Sequence, residues 1–172
     1  MLDRVGGPEA LTAFWRSLGD DVSRLDRKET KLNFVPPGAE RDTTTPAAMA
    51  QTLSKLLASD TNWPLVPERE AQLRYWMSES VTGLARVRAG LPPAWVAGDK
   101  TGNSSDWNGT MGYLRGDIGF VESPAGSPVF FAAYHQSPLG ATIESERVDA
   151  GFAEIGRMLT NWTRRLYPIV LT

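Results

Sequence analysis

Hydrophobic residues recur at helical spacing in four segments of the chain. The spacing predicts helices over residues 8–19, 46–58, 68–80 and 146–167. The third of these helices should bury Leu73, Trp76 and Met77 on its apolar face. A short helical turn is predicted between Thr82 and Arg88. Three of the four helices therefore precede residue 89, and the fourth closes the chain.

The pattern changes near Leu91, where apolar stretches become extended and rich in aromatic and β-branched residues. Strands are predicted over residues 94–102, 116–123 and 128–136. The sequence "PAGSP" at residues 124–128 indicates a hairpin-type turn between the last two strands. We therefore expect an α/β protein of the α+β type, in which a helical lobe (residues 1–88) is followed by antiparallel strands and a C-terminal helix (residues 89–172).

Composition narrows the range of functions. The 172 residues are 41% hydrophobic and 22% charged, as in an ordinary globular protein. The net charge of -2 gives no sign of a nucleic-acid partner, and no apolar run reaches the roughly 18 residues of a membrane span. Cysteine is absent and His135 is the only histidine, so we expect no metal site. Without a dinucleotide-binding or phosphate-loop pattern, we also expect no cofactor.

The irregular stretch "RLDRKETKLNFVPPGAERDTTTP", residues 24–46, contains the first candidate chemistry. Glu29 and Asn33 lie four residues apart, which places them on one face of a helical turn. A carboxylate and an amide in that arrangement can hold one water, from which the carboxylate takes a proton. An acid near a helix start beside a solvated asparagine is the simpler interpretation. Arg27 and Asp42 flank the stretch and could close its neck as an ion pair.

A second candidate is the segment Asp99-Lys100-Thr101-Gly102 at the end of the first predicted strand. A lysine and a threonine hydroxyl beside a glycine can cradle an anion, for example a ligand carboxylate. The backbone N–H of Asn103 could stabilise an oxyanion. The alternative is a charged strand end without a ligand.

Arginines form a third group of candidates. Arg86, Arg88 and Arg115 precede predicted strands, and each could hold a carboxylate through its forked donors. Each could equally be a surface charge.

These pieces together resemble the C-terminal portion of the class A serine β-lactamases. The resemblance rests on "GGPEALTAFWRSLGD", "RLDRKETKLN", "PPGAERDTTTPAAMAQTLSKLL", "QLRYWMSESVTG", "RAGLPPAW" and "GDKTG", in order and spacing. It extends from about Leu2 to Gly102 and, more loosely, to the final helix. It implies a fold that resembles part of the β-lactamase and transpeptidase fold, a periplasmic or secreted location, and a β-lactam as the small-molecule substrate.

The resemblance also implies roles for individual residues. Residues 24–42 match the family's Ω-loop, with Arg27 and Asp42 as its closing ion pair. Glu29 matches the general base that activates the deacylating water, and Asn33 the amide that holds this water. Five further residues match the family's strand edge and substrate-binding positions: Lys100, Thr101, Gly102, Asn103 and Arg86.

The chain also departs from the family pattern. No serine is followed by lysine three residues later, so the S-x-x-K nucleophile motif is missing, and so is the S-D-N triplet. Thr30 stands where the family usually has proline, and the segment between Asn103 and Gly116 is longer than usual. The chain therefore resembles roughly the last three fifths of such an enzyme, and an N-terminal half is an expected partner.

Four functions remain open from the sequence. The first is β-lactam hydrolysis with a nucleophile supplied from outside the chain. A non-catalytic truncated fragment and a penicillin-binding or peptidase-like relative are the next two. A sugar-binding module built on the six tryptophans is the fourth. Without the family's N-terminal helix and two further strands, we expect exposed apolar sheet surface, an open sheet edge, and poor stability or association when the chain is alone.

Overall fold

The computed structural model describes residues 2–58, 63–105, 109–124, 126 and 128–167. Its helices are α1 (Gly7–Ser17), α2 (Pro46–Leu57), α3 (Pro67–Ser78) and α4 (Ser145–Leu166), and its strands are β1 (Val96–Asn103), β2 (Leu114–Glu122) and β3 (Val129–Gln136). Short 3-10 helices cover Leu2–Val5, Lys31–Asn33 and Val87–Gly90. The predicted helices and strands are confirmed to within about two residues at each end. The predicted turn at 124–128 includes residues 125 and 127, which lie outside the described residues.

Polar residues fix the start of α2. The side chain of Thr45 accepts a hydrogen bond from the Ala48 N–H at 3.2 Å, and Pro46 follows in the first turn. This threonine-proline pair satisfies one free N–H and pre-sets the helical backbone. Helix α2 therefore begins where the irregular stretch ends, and it anchors the C-terminal end of that stretch.

The three strands form one antiparallel sheet in the order β1-β2-β3. Lys100 lies opposite Ile118 and Thr101 opposite Asp117, while Asn103 pairs with Arg115. The strand edge with the candidate anion cradle is therefore at the end of β1, beside the start of β2.

Both faces of the sheet are packed. One face carries Phe120, which packs with Leu53, Leu57 and Met77 of α2 and α3. On the other face Val121, Phe131 and Ala133 pack with Val87 and with Phe152 of α4. The sheet thus separates the helical segment from the C-terminal helix, as expected for the α+β class.

Two glycines allow α4 to approach the Val87–Gly90 turn closely. A Cβ on Gly156 would lie 2.1 Å from the Val87 carbonyl oxygen, and one on Gly90 would lie 1.9 Å from that of Ala153. Since real side chains do not tolerate such distances, the contact requires glycine at both positions. It fixes the segment that contains Arg86 and Arg88 against the helix.

Several large apolar side chains are exposed. Trp76 is 63% exposed, so the prediction that it is buried is wrong, whereas Met77 is buried as predicted. Leu73 is half-buried and packs against the same cluster as Met77, so helical spacing identifies the stripe on α3 correctly except for Trp76. On α4, Met158 and Trp162 are 62% and 49% exposed. Among the described residues, no helix is long and apolar enough to cross a membrane.

Candidate active site

The loop of residues 24–42 is closed at its neck by Arg27 and Asp42. Their side chains form an ion pair in which the Asp42 side chain is only 3% exposed. The other oxygen of Asp42 accepts the backbone N–H groups of Asp26 at 2.7 Å and Arg27 at 2.9 Å. Asp42 adopts a left-handed backbone with φ of 58°, which short polar residues tolerate best. The predicted ion pair is therefore present as one part of a larger polar clamp.

The contacts of the clamp stabilise the ionised form of Asp42. Burial alone would raise the pKa of Asp42, but the hydrogen bonds from Asp26 and Arg27 outweigh it and hold this pKa below its ordinary value. Arg27 also donates to the carbonyl oxygen of Phe34 at 2.8 Å. One guanidinium thus ties the neck of the loop to its middle.

Glu29 and Asn33 are brought together inside this loop. The Asn33 amide donates to a Glu29 carboxylate oxygen at 2.7 Å. Asn33 ends the short Lys31–Asn33 helix, which turns the chain so that the two side chains meet. The Glu29–Thr30 peptide bond is cis. Glu29 itself is exposed, so its second oxygen is accessible to solvent.

The strand edge presents the second group of candidates. Gly102 and Asn103 are exposed at the end of β1, and Lys100 projects to the surface. The Lys100 ammonium donates to the Thr101 carbonyl oxygen at 2.8 Å. The Thr101 hydroxyl donates to the Thr82 hydroxyl at 2.8 Å, so the turn before β1 supports this side chain.

Arg86 lies behind the strand edge and is 6% exposed. Its guanidinium donates to the Gly116 carbonyl oxygen at 2.6 Å and to the Asn103 side chain at 2.5 Å. Its Nε pairs with Asp149 of α4 at 3.0 Å. The guanidinium thus adjoins the strand edge but donates to protein groups.

Two aspartates are fully buried beneath the same strand edge. Asp99 on β1 pairs with Arg88 at 3.2 Å, and Asp117 on β2 accepts the Val87 N–H at 3.1 Å. Burial raises the pKa of Asp99, against the opposing effect of Arg88. Burial and the neighbouring charge of Asp99 raise the pKa of Asp117 to about 7.

The structure therefore brings the predicted residues together in two groups. One contains Glu29, Asn33 and the clamp, and the other contains the strand edge with Arg86. Within the described ranges, no hydrogen bond or ion pair links these two groups. Sequence reasoning did not select Thr82, Asp149 and Asp117. An aspartate inside the apolar strand "GDIGFVE" was the one available signal, because a buried charge in a strand requires a partner.

Known proteins are similar to this chain in sequence and in fold. The model of a family described as the β-lactamase enzyme family matches residues 1–163. The chain is similar to the β-lactamase FAR-1 of Nocardia farcinica, with 47% identity over 132 residues, which are 77% of this chain and 39% of the relative. It is also similar to the β-lactamase Toho-1 of Escherichia coli, with 44% identity over 138 residues, or 80% of this chain and 44% of the relative.

Solved structures that are similar to this chain are β-lactamases, as are the sequence relatives. The ancestral class A β-lactamase GNCA matches with a TM-score of 0.81 and 42% sequence identity, over 94% of this chain and 57% of that chain. The chain spans about two fifths of the length of the curated relatives it matches.

Proposed function

Because the chain belongs to the β-lactamase enzyme family, we propose that it is part of a class A serine enzyme that hydrolyses β-lactam antibiotics. In this proposal the chain supplies the deacylation base and the wall of the substrate site. The serine nucleophile comes from an N-terminal half outside this sequence. No cofactor or metal takes part in the proposed chemistry.

The contact between Glu29 and Asn33 carries the proposal. A hydrolytic water needs a base to take its proton and a second group to orient it. The 2.7 Å hydrogen bond between the Asn33 amide and the Glu29 carboxylate places both groups at one point of the loop. One Glu29 oxygen holds the amide, and the other is free to accept from a water.

The proposed reaction has two steps. A serine hydroxyl from the N-terminal half first attacks the β-lactam carbonyl carbon. The C–N bond of the ring breaks, the serine proton passes to the ring nitrogen, and an acyl-enzyme ester forms. Glu29 then takes a proton from the water, the water oxygen attacks the ester carbonyl, and the ester C–O bond breaks as the serine oxygen receives the proton from Glu29. Asn33 orients the water during the second step.

The strand edge has a binding role in this proposal. The backbone N–H of Asn103 donates to the oxyanion of the attacked carbonyl, while Lys100 binds the carboxylate of the substrate. The Thr101 hydroxyl joins Lys100 when its proton turns from Thr82 to the bound carboxylate. Gly102 lets the substrate approach the backbone closely. Arg86 adds positive charge behind the strand, where its contact with the Asn103 side chain at 2.5 Å couples it to the edge.

Exposed apolar residues support a missing partner. Trp76 and Tyr75 on α3 are 63% and 60% exposed, and Trp162 on α4 is 49% exposed. Tyr75 and Trp76 are adjacent on α3, and two neighbouring aromatic side chains left this exposed favour an interaction partner on that side of the molecule. We propose an N-terminal half of the same enzyme as that partner, and a periplasmic or secreted location for the assembled protein.

Two alternatives remain in competition. A penicillin-binding or peptidase-like relative would form a similar acyl-enzyme but release it slowly. The clamped loop that holds Glu29 argues against it, since such a loop serves deacylation. A truncated chain without activity is the second alternative, and the Trp76 surface is equally expected of it.

The test is hydrolysis of a chromogenic cephalosporin by the purified chain, with and without an N-terminal half taken from a related enzyme. Turnover that requires the added half supports the proposal. Turnover by the chain alone would show that a serine in this sequence is the nucleophile and would contradict the division of labour. If the folded chain and half assemble without turnover, the inactive-fragment alternative is favoured.

A further inference from the structure

Two buried carboxyl groups lie on the same face of the sheet, on the neighbouring strands β1 and β2. Thr101 lies opposite Asp117 in the register, and Asp99 lies two residues before Thr101, so the two aspartates are diagonal neighbours on one face. Gly119 is opposite Asp99 and contributes no side chain to the space between them. Both aspartates are 0% exposed.

Each aspartate leaves one oxygen without a partner. Asp99 uses one oxygen for Arg88 and has the Ser80 hydroxyl as a further polar neighbour, while Asp117 uses one oxygen for the Val87 N–H. The other oxygens, Asp99 Oδ2 and Asp117 Oδ1, are buried and form no hydrogen bond to any described residue. Buried carboxylate oxygens without donors are costly, so these two atoms require an explanation.

The surrounding charges do not neutralise both acids. Arg88 is the one cation paired with either acid among the described residues, and Arg86 is already paired with Asp149 of α4. Lys100 lies on β1 but points to the surface. On the same face as Asp117, further along the sheet, are Arg115 of β2 and His135 of β3, and Arg115 donates to the carbonyl oxygens of Ser104 and Leu114.

One proton between the two free oxygens would give both a hydrogen-bond partner and remove one of the two negative charges. Two adjacent buried carboxylates repel each other, whereas one carboxylic acid and one carboxylate form a strong hydrogen bond. We propose that Asp99 and Asp117 share a single proton through their two unpartnered oxygens. The resulting acid pair joins β1 to β2 directly behind the Lys100–Asn103 strand edge.

The pair occupies a position from which it can set the geometry of that edge. Asp99 immediately precedes Lys100, and Asp117 lies opposite Thr101. The carboxyl group of Asp99 also fills the space beside Gly83, where a Cβ would lie 1.6 Å from its Oδ2. The Thr82–Gly83 turn therefore rests on the same acid. Both aspartates are positioning residues, and their role does not depend on the proposed reaction.

The pair makes stability fall as the pH rises. Asp117, with its pKa raised to about 7 from 3.8, holds a proton in the folded state that the unfolded chain has released. Its contribution is complete below pH 3.8 and is lost as the pH rises through about 7. Across the middle of this range the unfolding equilibrium constant should rise about tenfold per pH unit because of this one proton.

The decisive experiment is infrared spectroscopy of the full 172-residue chain, combined with unfolding as a function of pH. At pH 6 ordinary aspartates and glutamates are ionised, so a carbonyl band of one protonated carboxylic acid should remain and vanish above about pH 8. Asp117→Asn replaces the acid by an amide that donates to Asp99 without titrating. It should remove both the band and the tenfold-per-unit slope.

Asp20→Asn is the matched control, because Asp20 is a buried aspartate whose oxygens accept hydrogen bonds from Val22, Ser23 and Thr52. This variant should keep the band and the slope. Absence of a protonated carboxyl band in the folded wild-type chain at pH 6 would overturn the proposal. The infrared result on the wild-type chain decides the matter even if Asp117→Asn does not fold.

Discussion

The two halves of the candidate site, the loop of residues 24–42 and the strand edge Lys100–Asn103, are held in place by different physical means. The loop depends on one clamp, in which Asp42 accepts from Arg27 and from two backbone N–H groups. The strand edge depends on strand register and on fully buried charges beneath it. A change in the clamp should therefore act locally, whereas a change beneath the strand edge should act on the whole fold.

The largest effect is expected beneath the strand edge. Arg88→Met removes the one ion-pair partner of Asp99 among the described residues while it keeps much of the side-chain volume. A fully buried carboxylate without its partner should cost about 3–5 kcal/mol in the free energy of unfolding. Denaturant unfolding measures this loss.

A surface arginine provides the control for this change. Arg147 pairs with Glu144 in a contact in which both side chains are more than half exposed. Arg147→Met should cost less than about 1 kcal/mol. Equal losses for the two variants would contradict the claim that buried charge supports the strand edge.

A smaller and local effect is expected in the loop. Asp42→Asn keeps a residue that tolerates the left-handed backbone but removes the charge that pairs with Arg27. Loss of one charged hydrogen bond costs about 1.5–3 kcal/mol, so amide exchange at Asp26 and Arg27 should accelerate roughly ten- to hundredfold. Hydrogen exchange followed by NMR measures this acceleration.

Exchange in β1 and β2 should stay unchanged in Asp42→Asn. Asp21→Asn, which alters an exposed acid outside the loop, should leave both regions as they are. If Asp42→Asn accelerated exchange in the strands as much as in the loop, the two regions would form one cooperative unit.

How far the sequence predicts this molecule depends on what decides each feature. Local pattern decides the helices and strands, and the spacing of Glu29 and Asn33 was enough to place them on one turn. The exposure of Trp76 could not be predicted, because helical spacing groups it with Leu73 and Met77, whereas the described residues cover only the latter two. Asp117 was missed because strand alternation does not reveal that Asp99 lies diagonally across the neighbouring strand.

The two regions should also respond to pH in opposite directions. The pKa of Asp42 is lowered in the folded state, so the clamp contributes stability above about pH 3.8 and loses it as the pH falls further. The pKa of Asp117 is raised to about 7, so the strand edge loses stability as the pH rises. Protection factors, which correct each amide for its intrinsic base-catalysed exchange, should therefore fall in the loop as the pH drops below 3.8 and in the strands as the pH rises from 3.8 to about 7. A loss of protection in both regions over the same pH range would contradict this separation.

The central claim is that Glu29 is the base that releases the acyl-enzyme. The most direct test is Glu29→Gln in the chain reassembled with an N-terminal half, followed by kinetics and mass spectrometry. We predict a fall in turnover of about 10²–10⁴-fold, with a stable acyl adduct on the added half, because acylation continues while deacylation stops. Turnover at the wild-type rate without an accumulated adduct would contradict the assignment of Glu29.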